Sequence, residues 1–190
     1  MRLYIVRHGE SYSNISGRVM STTDLSLTEK GIKQAKAAKK YLQEIVFDRI
    51  FSSPLIRAKQ TAQIITGGKG EIEICDNLHE MFLGKIEGLT WEEQSERYPN
   101  ADTASGLSKA VIPEGENLEA LIKRCNIFIE EKLKPIGISG NILIVSHGIT
   151  KRALINCLLE KPSHYVDYIN WADNTAISEI DWAKKNNSSP

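Results

Sequence analysis

The chain has 190 residues, with 24 basic side chains against 24 acidic ones and a formal net charge of zero. Apolar residues make up 41% and charged residues 25%, an ordinary globular balance that excludes a disordered chain. With no general basic face and only short apolar runs, nucleic acid and membrane are set aside as partners.

In chain order, Leu3-Tyr4-Ile5-Val6 reads as a buried strand, and a Ser-rich loop follows to Leu25. Ser26 and Glu29 have capping-box spacing and open a helix with apolar positions at Ile32, Ala35, Leu42 and Ile45. Arg49 to Ser52 is a second strand. Ser53 as N-cap and Pro54 at the first helical position start the next helix, which Gly67-Gly68 ends. Glu71 to Cys75 alternates as a third strand, and Thr90 with Glu93 caps a short helix that stops before Pro99.

Asn100 to Gly115 has the weakest pattern and is expected as an exposed excursion or lid. A helical stripe runs from Leu118 to Ile129, Ile142 to Val145 is a strand, and a helix covers about Ile149 to Leu159. Thr175 to Ile180 is expected as an edge strand and Lys184 to Pro190 as a solvated tail. Strands alternating with helices imply an α/β fold, a mostly parallel sheet covered on both faces, in one domain over residues 1–190. Cys75, Cys125 and Cys157 are odd in number and widely spaced, which suits reduced thiols that pack; with no leader pattern in Met1 to Arg7, a cytoplasmic location is expected. The three tryptophans are expected to pack.

Two segments echo each other. Leu3 to Val6 leads into Arg7-His8-Gly9, and Ile142 to Val145 leads into Ser146-His147-Gly148. Ligands collect at the carboxyl ends of strands in open α/β sheets, so both histidines are expected on one rim, each glycine leaving room for close approach. Arg57 falls in the first turn of the second helix, beside helix N–H groups that suit an anion. Glu80 follows the third strand by a short loop. Two arginines, two histidines and a carboxylate without metal-ligand spacing suit phosphoryl chemistry. His79 is expected to be structural or solvated, and Lys36, Lys39 and Lys40 to form a solvated helix face.

These residues resemble the histidine phosphatase superfamily, in its phosphoglycerate mutase-like branch. Arg7-His8-Gly9-Glu10-Ser11, Leu27 to Gly31, Ser52 to Ala62, Leu78-His79-Glu80, Pro113 to Leu118 and Ser146-His147-Gly148 follow in that family's order over almost the whole chain. The resemblance implies a three-layer αβα sandwich with a lid or insertion around residues 81–117. It implies His8 as a nucleophile that becomes a phosphohistidine, and Arg7, Arg57, His147 and Asn14, with Gly148 beside them, as the phosphoryl-binding set. Glu80 is implied as general acid and then base, with Glu87 and Asp76 its nearest rivals, and no metal or other cofactor is implied.

The departures favour a phosphatase over a mutase. Residues 84–115 hold only Lys85, Arg97 and Lys109 as cations, without the adjacent arginine pair by which mutases hold a carboxylate, and Ile149 stands where mutases usually have asparagine. Met20 stands where relatives have glutamine or serine and Leu83 where an aromatic residue is common, so the resemblance implies a more apolar leaving-group pocket. The expected partner is a small phosphomonoester, and a homodimer is one option for assembly. A 2,3-bisphosphoglycerate-dependent phosphoglycerate mutase is the first alternative, and a non-catalytic phospho-ligand binding domain the second.

Overall fold

The computed structural model describes residues 1–103, 106–137 and 139–182. Five strands, β1 (Arg2–Arg7), β2 (Arg49–Ser52), β3 (Ile72–Ile74), β4 (Asn141–Ser146) and β5 (Ile177–Asp181), form one sheet in the order β3-β2-β4-β1-β5. All neighbours are parallel except β5, which runs antiparallel to β1. The helices are α1 (Glu29–Tyr41), α2 (Ile56–Thr66), α3 (Trp91–Arg97), α4 (Leu118–Phe128) and α5 (Gly148–Leu158).

Alternation along the central strands builds two cores. Leu3, Ile5, Phe51, Ile142 and Ile144 pack with Leu121, Cys125 and Phe128 of α4 and Ala153 and Leu154 of α5. Tyr4, Val6, Ile50, Leu143 and Val145 pack on the other face with Ala38 of α1 and Ala58, Ala62 and Ile65 of α2. This is the expected αβα sandwich, and it explains why β1 and β4 are continuously apolar: both faces are covered. No helix among the described residues is long and apolar enough to cross a membrane.

Several local expectations change. Helix α1 is capped by Thr28, whose Oγ1 accepts from Gly31 N at 3.0 Å, and not by Ser26. Ser26 is held in extended chain, its carbonyl accepting from Tyr12 N, while Leu27 bridges Ser11. Helix α2 begins at Ile56, two residues after Pro54; Asp24 Oδ1 takes the Ile56 N–H at 2.6 Å. The Ser53 hydroxyl instead serves the site described below. Ile32 is exposed, so Ala35 and Ala38 carry the α1 contact. Ala101, Leu107 and Ile112 are buried, so the segment expected as an exposed excursion is anchored in the core. The Thr90–Glu93 capping box is present in full. The tail beginning at Lys184 lies outside the described residues.

Candidate active site

Strands β1 and β4 are neighbours with Arg7 opposite Ser146, so the next residue of each chain segment delivers a histidine to the same rim. The His8 and His147 rings lie 5.1 Å apart at 58° and are 3% and 0% exposed by residue. His8 Nδ1 is 2.7 Å from the Gly9 carbonyl oxygen. A carbonyl can only accept, so Nδ1 carries the proton and Nε2 keeps its lone pair. Burial pushes the His8 pKa well below the ordinary imidazole value; Arg57 and then Arg7 act in the same direction. The neutral form that a nucleophile needs is thus favoured first by burial and then by the two arginines.

His147 caps α5 and its Nε2 lies 2.6 Å from Ser53 Oγ. Ser53 Oγ also accepts from Leu55 N at 3.2 Å; with its hydrogen given to His147 Nε2, the imidazole proton sits on Nδ1. Burial, then His8 and Arg57, hold the His147 pKa well below its usual value. In the unliganded protein it is therefore a neutral imidazole.

Arg57 is 2% exposed, with Nη1 on the Thr23 carbonyl at 3.0 Å and Nη2 on the Ser21 carbonyl. Arg7 Nη1 donates to the Ala172 carbonyl at 2.6 Å. Both guanidinium groups are fixed by backbone oxygens, and neither is a surface ion-pair partner. Arg7 Nε, Arg57 Nε, His147 Nδ1 and the Ser13 hydroxyl are buried and have no hydrogen-bond partner among the described residues. Buried donors without acceptors are costly, and three of them belong to residues grouped around His8. Asn14 Oδ1 accepts from Ser11 N and from Asn174 Nδ2, so it serves both its own turn and the cleft that it lines.

Glu80 is 9% exposed at the N-terminus of α5. Its Oε1 accepts from Met81 N, Thr150 N and Thr150 Oγ1, at 2.9, 3.0 and 3.1 Å, and Oε2 from Ile149 N at 3.2 Å. Oε1 is saturated, which leaves Oε2 as the oxygen with capacity for a proton. Glu87 is occupied elsewhere, accepting from Ser21, Thr22 and Thr23 and fixing the loop that Arg57 also holds. At α2, whose N–H groups were expected to suit an anion, Asp24 takes the Ile56 N–H, and at α5 Glu80 takes those of Ile149 and Thr150.

Arg7, His8, Asn14, Arg57, Glu80 and Gly148 line one cleft of about 180 Å³. His147 lies behind it against His8. Gly148 is a close-approach position, since a Cβ there would lie 3.0 Å from Trp171 Cζ3. His79 donates to the Glu80 carbonyl and is structural, as expected. Among the described residues no group of three His, Cys, Asp or Glu side chains is arranged to hold a metal ion.

Sequence reasoning missed Ser13, Ser53, Thr150, Trp91 and Trp171. Trp91 and Trp171 are 58% and 45% exposed on the cleft, and only Trp182 is buried as packing would require. The signal for Trp91 was available, because it directly follows the Thr90 cap and therefore begins an exposed first turn.

Residues 3–189 match the family described as "Histidine phosphatase superfamily (branch 1)". A protein described as "Probable phosphoglycerate mutase GpmB" from Yersinia pestis is 33% identical over 189 residues, covering 96% of this chain and 85% of that one. The crystal structure of the alpha-ribazole phosphatase from Shigella flexneri superposes with a TM-score of 0.84 at 30% identity, covering 95% of this chain and 90% of the other. Mycobacterial glucosyl-3-phosphoglycerate phosphatase, solved with VO3, gives 0.84 at 25% identity over 94% and 91%. Together the family and these neighbours support a phosphatase enzyme.

Proposed function

The chain belongs to the histidine phosphatase superfamily, and from that premise we propose that it hydrolyses a small phosphomonoester, without a metal, through a phosphohistidine on His8. The observation that carries this reading is the set of buried, unpartnered donors at Arg7 Nε, Arg57 Nε and His147 Nδ1 beside a His8 whose Nε2 keeps its lone pair. A phosphoryl group supplies acceptors for all three.

In the first step His8 Nε2 attacks phosphorus, the bond from phosphorus to the ester oxygen breaks, and Glu80 Oε2 gives that oxygen its proton. Arg7 and Arg57 offset the charge on the phosphoryl oxygens. The anion opposes the effect of His8 and Arg57 on His147 and so favours its protonated form against the effect of burial. In the second step Glu80 takes a proton from water, the resulting oxygen attacks phosphorus, and the bond to His8 Nε2 breaks to release inorganic phosphate.

Hydrolysis is favoured over a mutase reaction by the cation inventory. Lys85 pairs with Glu114 at 2.5 Å and Arg97 with Glu93 at 3.8 Å, and neither lines the cleft. A substrate carboxylate would find Arg18 alone, whose Nη1 already donates to the Gly88 carbonyl.

The test is phosphate release from a panel of small phosphomonoesters in excess EDTA, with His8→Ala as control. Release that persists in EDTA and disappears in the variant supports the reading. Turnover retained by His8→Ala, or abolished by EDTA, overturns it.

A further inference from the structure

Away from the phosphoryl-binding end, the cleft has two aromatic walls built by unrelated segments. The first comes from a short antiparallel pairing: Gly88 N donates to the Val19 carbonyl at 2.7 Å, Val19 N to the Leu89 carbonyl at 2.8 Å, and Arg18 bridges Thr90. This pairing brings Met20 and Trp91 to the same cleft. The capping box fixes the Trp91 backbone while its indole stays more than half exposed.

The second wall is Trp171. Its ring lies 4.8 Å from the Arg152 guanidinium carbon, which supports the indole by a cation–π contact. Arg152 itself is anchored on the Ile169 and Val166 carbonyls at 2.8 and 2.9 Å. The ring also lies over Gly148, where a side chain would crowd it. Leu83 and Ile149 complete the apolar surface.

Two exposed tryptophans on one cleft, Trp91 on a capped helix start and Trp171 held against Arg152, present flat apolar area where a monoester's alcohol portion must lie. Among the described residues lining the cleft, Arg18 is the cation left over once the phosphoryl-binding arginines are assigned, and Glu80 the sole carboxylate. A cationic alcohol portion would find no carboxylate besides Glu80, and an anionic one only Arg18, whose Nη1 is already held by the Gly88 carbonyl.

Resting on the phosphomonoesterase reading, we propose that this end of the cleft binds a planar, uncharged ring, so that esters of aryl- or heteroaryl-bearing alcohols are the preferred substrates. Trp91 and Trp171 are then specificity-determining residues.

The experiment compares kcat/KM for 1-naphthyl phosphate with that for glycerol 3-phosphate and 3-phosphoglycerate. It uses the wild type and the Trp91→Ala, Trp171→Ala, Trp91→Phe and Trp171→Phe variants. The wild-type ratio of the naphthyl ester to either aliphatic ester is expected to exceed roughly tenfold, and to fall severalfold in each alanine variant while the phenylalanine variants retain most of it. Equal losses for all three esters, or a wild-type preference for 3-phosphoglycerate, would overturn the proposal. Binding to His8→Ala, followed by calorimetry with the same three esters, separates this inference from the chemistry. Tighter binding of the naphthyl ester supports the ring subsite even if no ester is hydrolysed, and equal binding of all three defeats it even if hydrolysis is robust.

Discussion

His8 and His147 stand 5.1 Å apart, centroid to centroid, because the strands that precede them pair in register with Arg7 against Ser146. Each ring has one nitrogen committed to the protein: His8 Nδ1 to the Gly9 carbonyl and His147 Nε2 to the Ser53 hydroxyl. The opposite nitrogens, one a lone-pair donor and the other an N–H, are those that a phosphoryl group could engage. The strand register therefore decides the spacing, and the Gly9 carbonyl decides the tautomer of His8.

Glu80→Gln tests the assignment of the acid. The amide keeps the shape and can still accept at one oxygen, but it cannot deliver a proton. For an alkyl phosphate kcat should fall by about 10²–10⁴-fold. With p-nitrophenyl phosphate, whose leaving phenolate needs little protonation, the first step should be nearly unaffected in a burst measurement. Equal losses for both esters would show that Glu80 acts otherwise.

Gly31→Ala tests how α1 is docked against the residues that follow His8. A Cβ at Gly31 would collide with the Glu10 carbonyl, and one at Gly9 would lie 2.6 Å from the Gly31 carbonyl oxygen. Both obstacles are backbone, which cannot rotate away. The variant is expected to lose about 1–3 kcal/mol in urea unfolding, together with activity, since Gly9 is bonded next to His8. An unchanged midpoint would mean that α1 can shift freely.

Arg124→Ala tests the buried pair behind Glu80. Arg124 holds Glu116 through Nε and Nη2 at 2.7 and 3.0 Å, the Asn77 carbonyl at 2.7 Å and Thr150 Oγ1 at 3.2 Å. Thr150 in turn holds Glu80 Oε1. Removing the arginine strands a carboxylate that is 11% exposed, and should cost about 3–5 kcal/mol. The double variant Arg124→Met with Glu116→Leu should recover most of that loss in stability. If the double variant is no better than the single one, the damage lies in the other contacts of Arg124.

Lys151→Met gives a pH-dependent outcome. Lys151 is 1% exposed, donates to the Ala176 carbonyl at 2.6 Å, and its pKa is lowered to about 8, by burial first and then by Arg7. Between about pH 8 and the ordinary lysine value near 10.4, the unfolded chain binds the proton that the folded one has released. Stability from this group therefore rises with pH through that window, and its penalty is complete below about pH 8. The gain of Lys151→Met over wild type should be largest at pH 7 and shrink towards pH 10, in thermal unfolding at both values. A difference that stays constant with pH would show that Lys151 titrates normally.

Much of this arrangement was legible. The apolar runs before His8 and His147 marked buried strands, and the Thr90–Glu93 spacing marked a helix start, because both signals are local. The ordered motifs named the residues that the cleft gathers. The start of α2 misled because the Ser53 hydroxyl, a good cap on sequence grounds, is bonded to His147, while Asp24 caps the helix from a distant loop. The tryptophans misled because large apolar side chains are usually buried, and nothing local says that Arg152 and Gly148 hold one of them at a cleft mouth.

The sequence by itself determined the strand and helix periods, the neutral charge and the identity of the groups able to handle a phosphoryl ester. Tertiary structure alone decided which of those groups keep an unpaired donor. Each hydrogen bond uses up a donor, and its acceptor comes from a segment remote in sequence: Ala172 for Arg7, Ser21 and Thr23 for Arg57, Ser53 for His147. What is left over after those bonds form, Nε of both arginines and Nδ1 of the histidine, depends on the packed fold and on no local pattern.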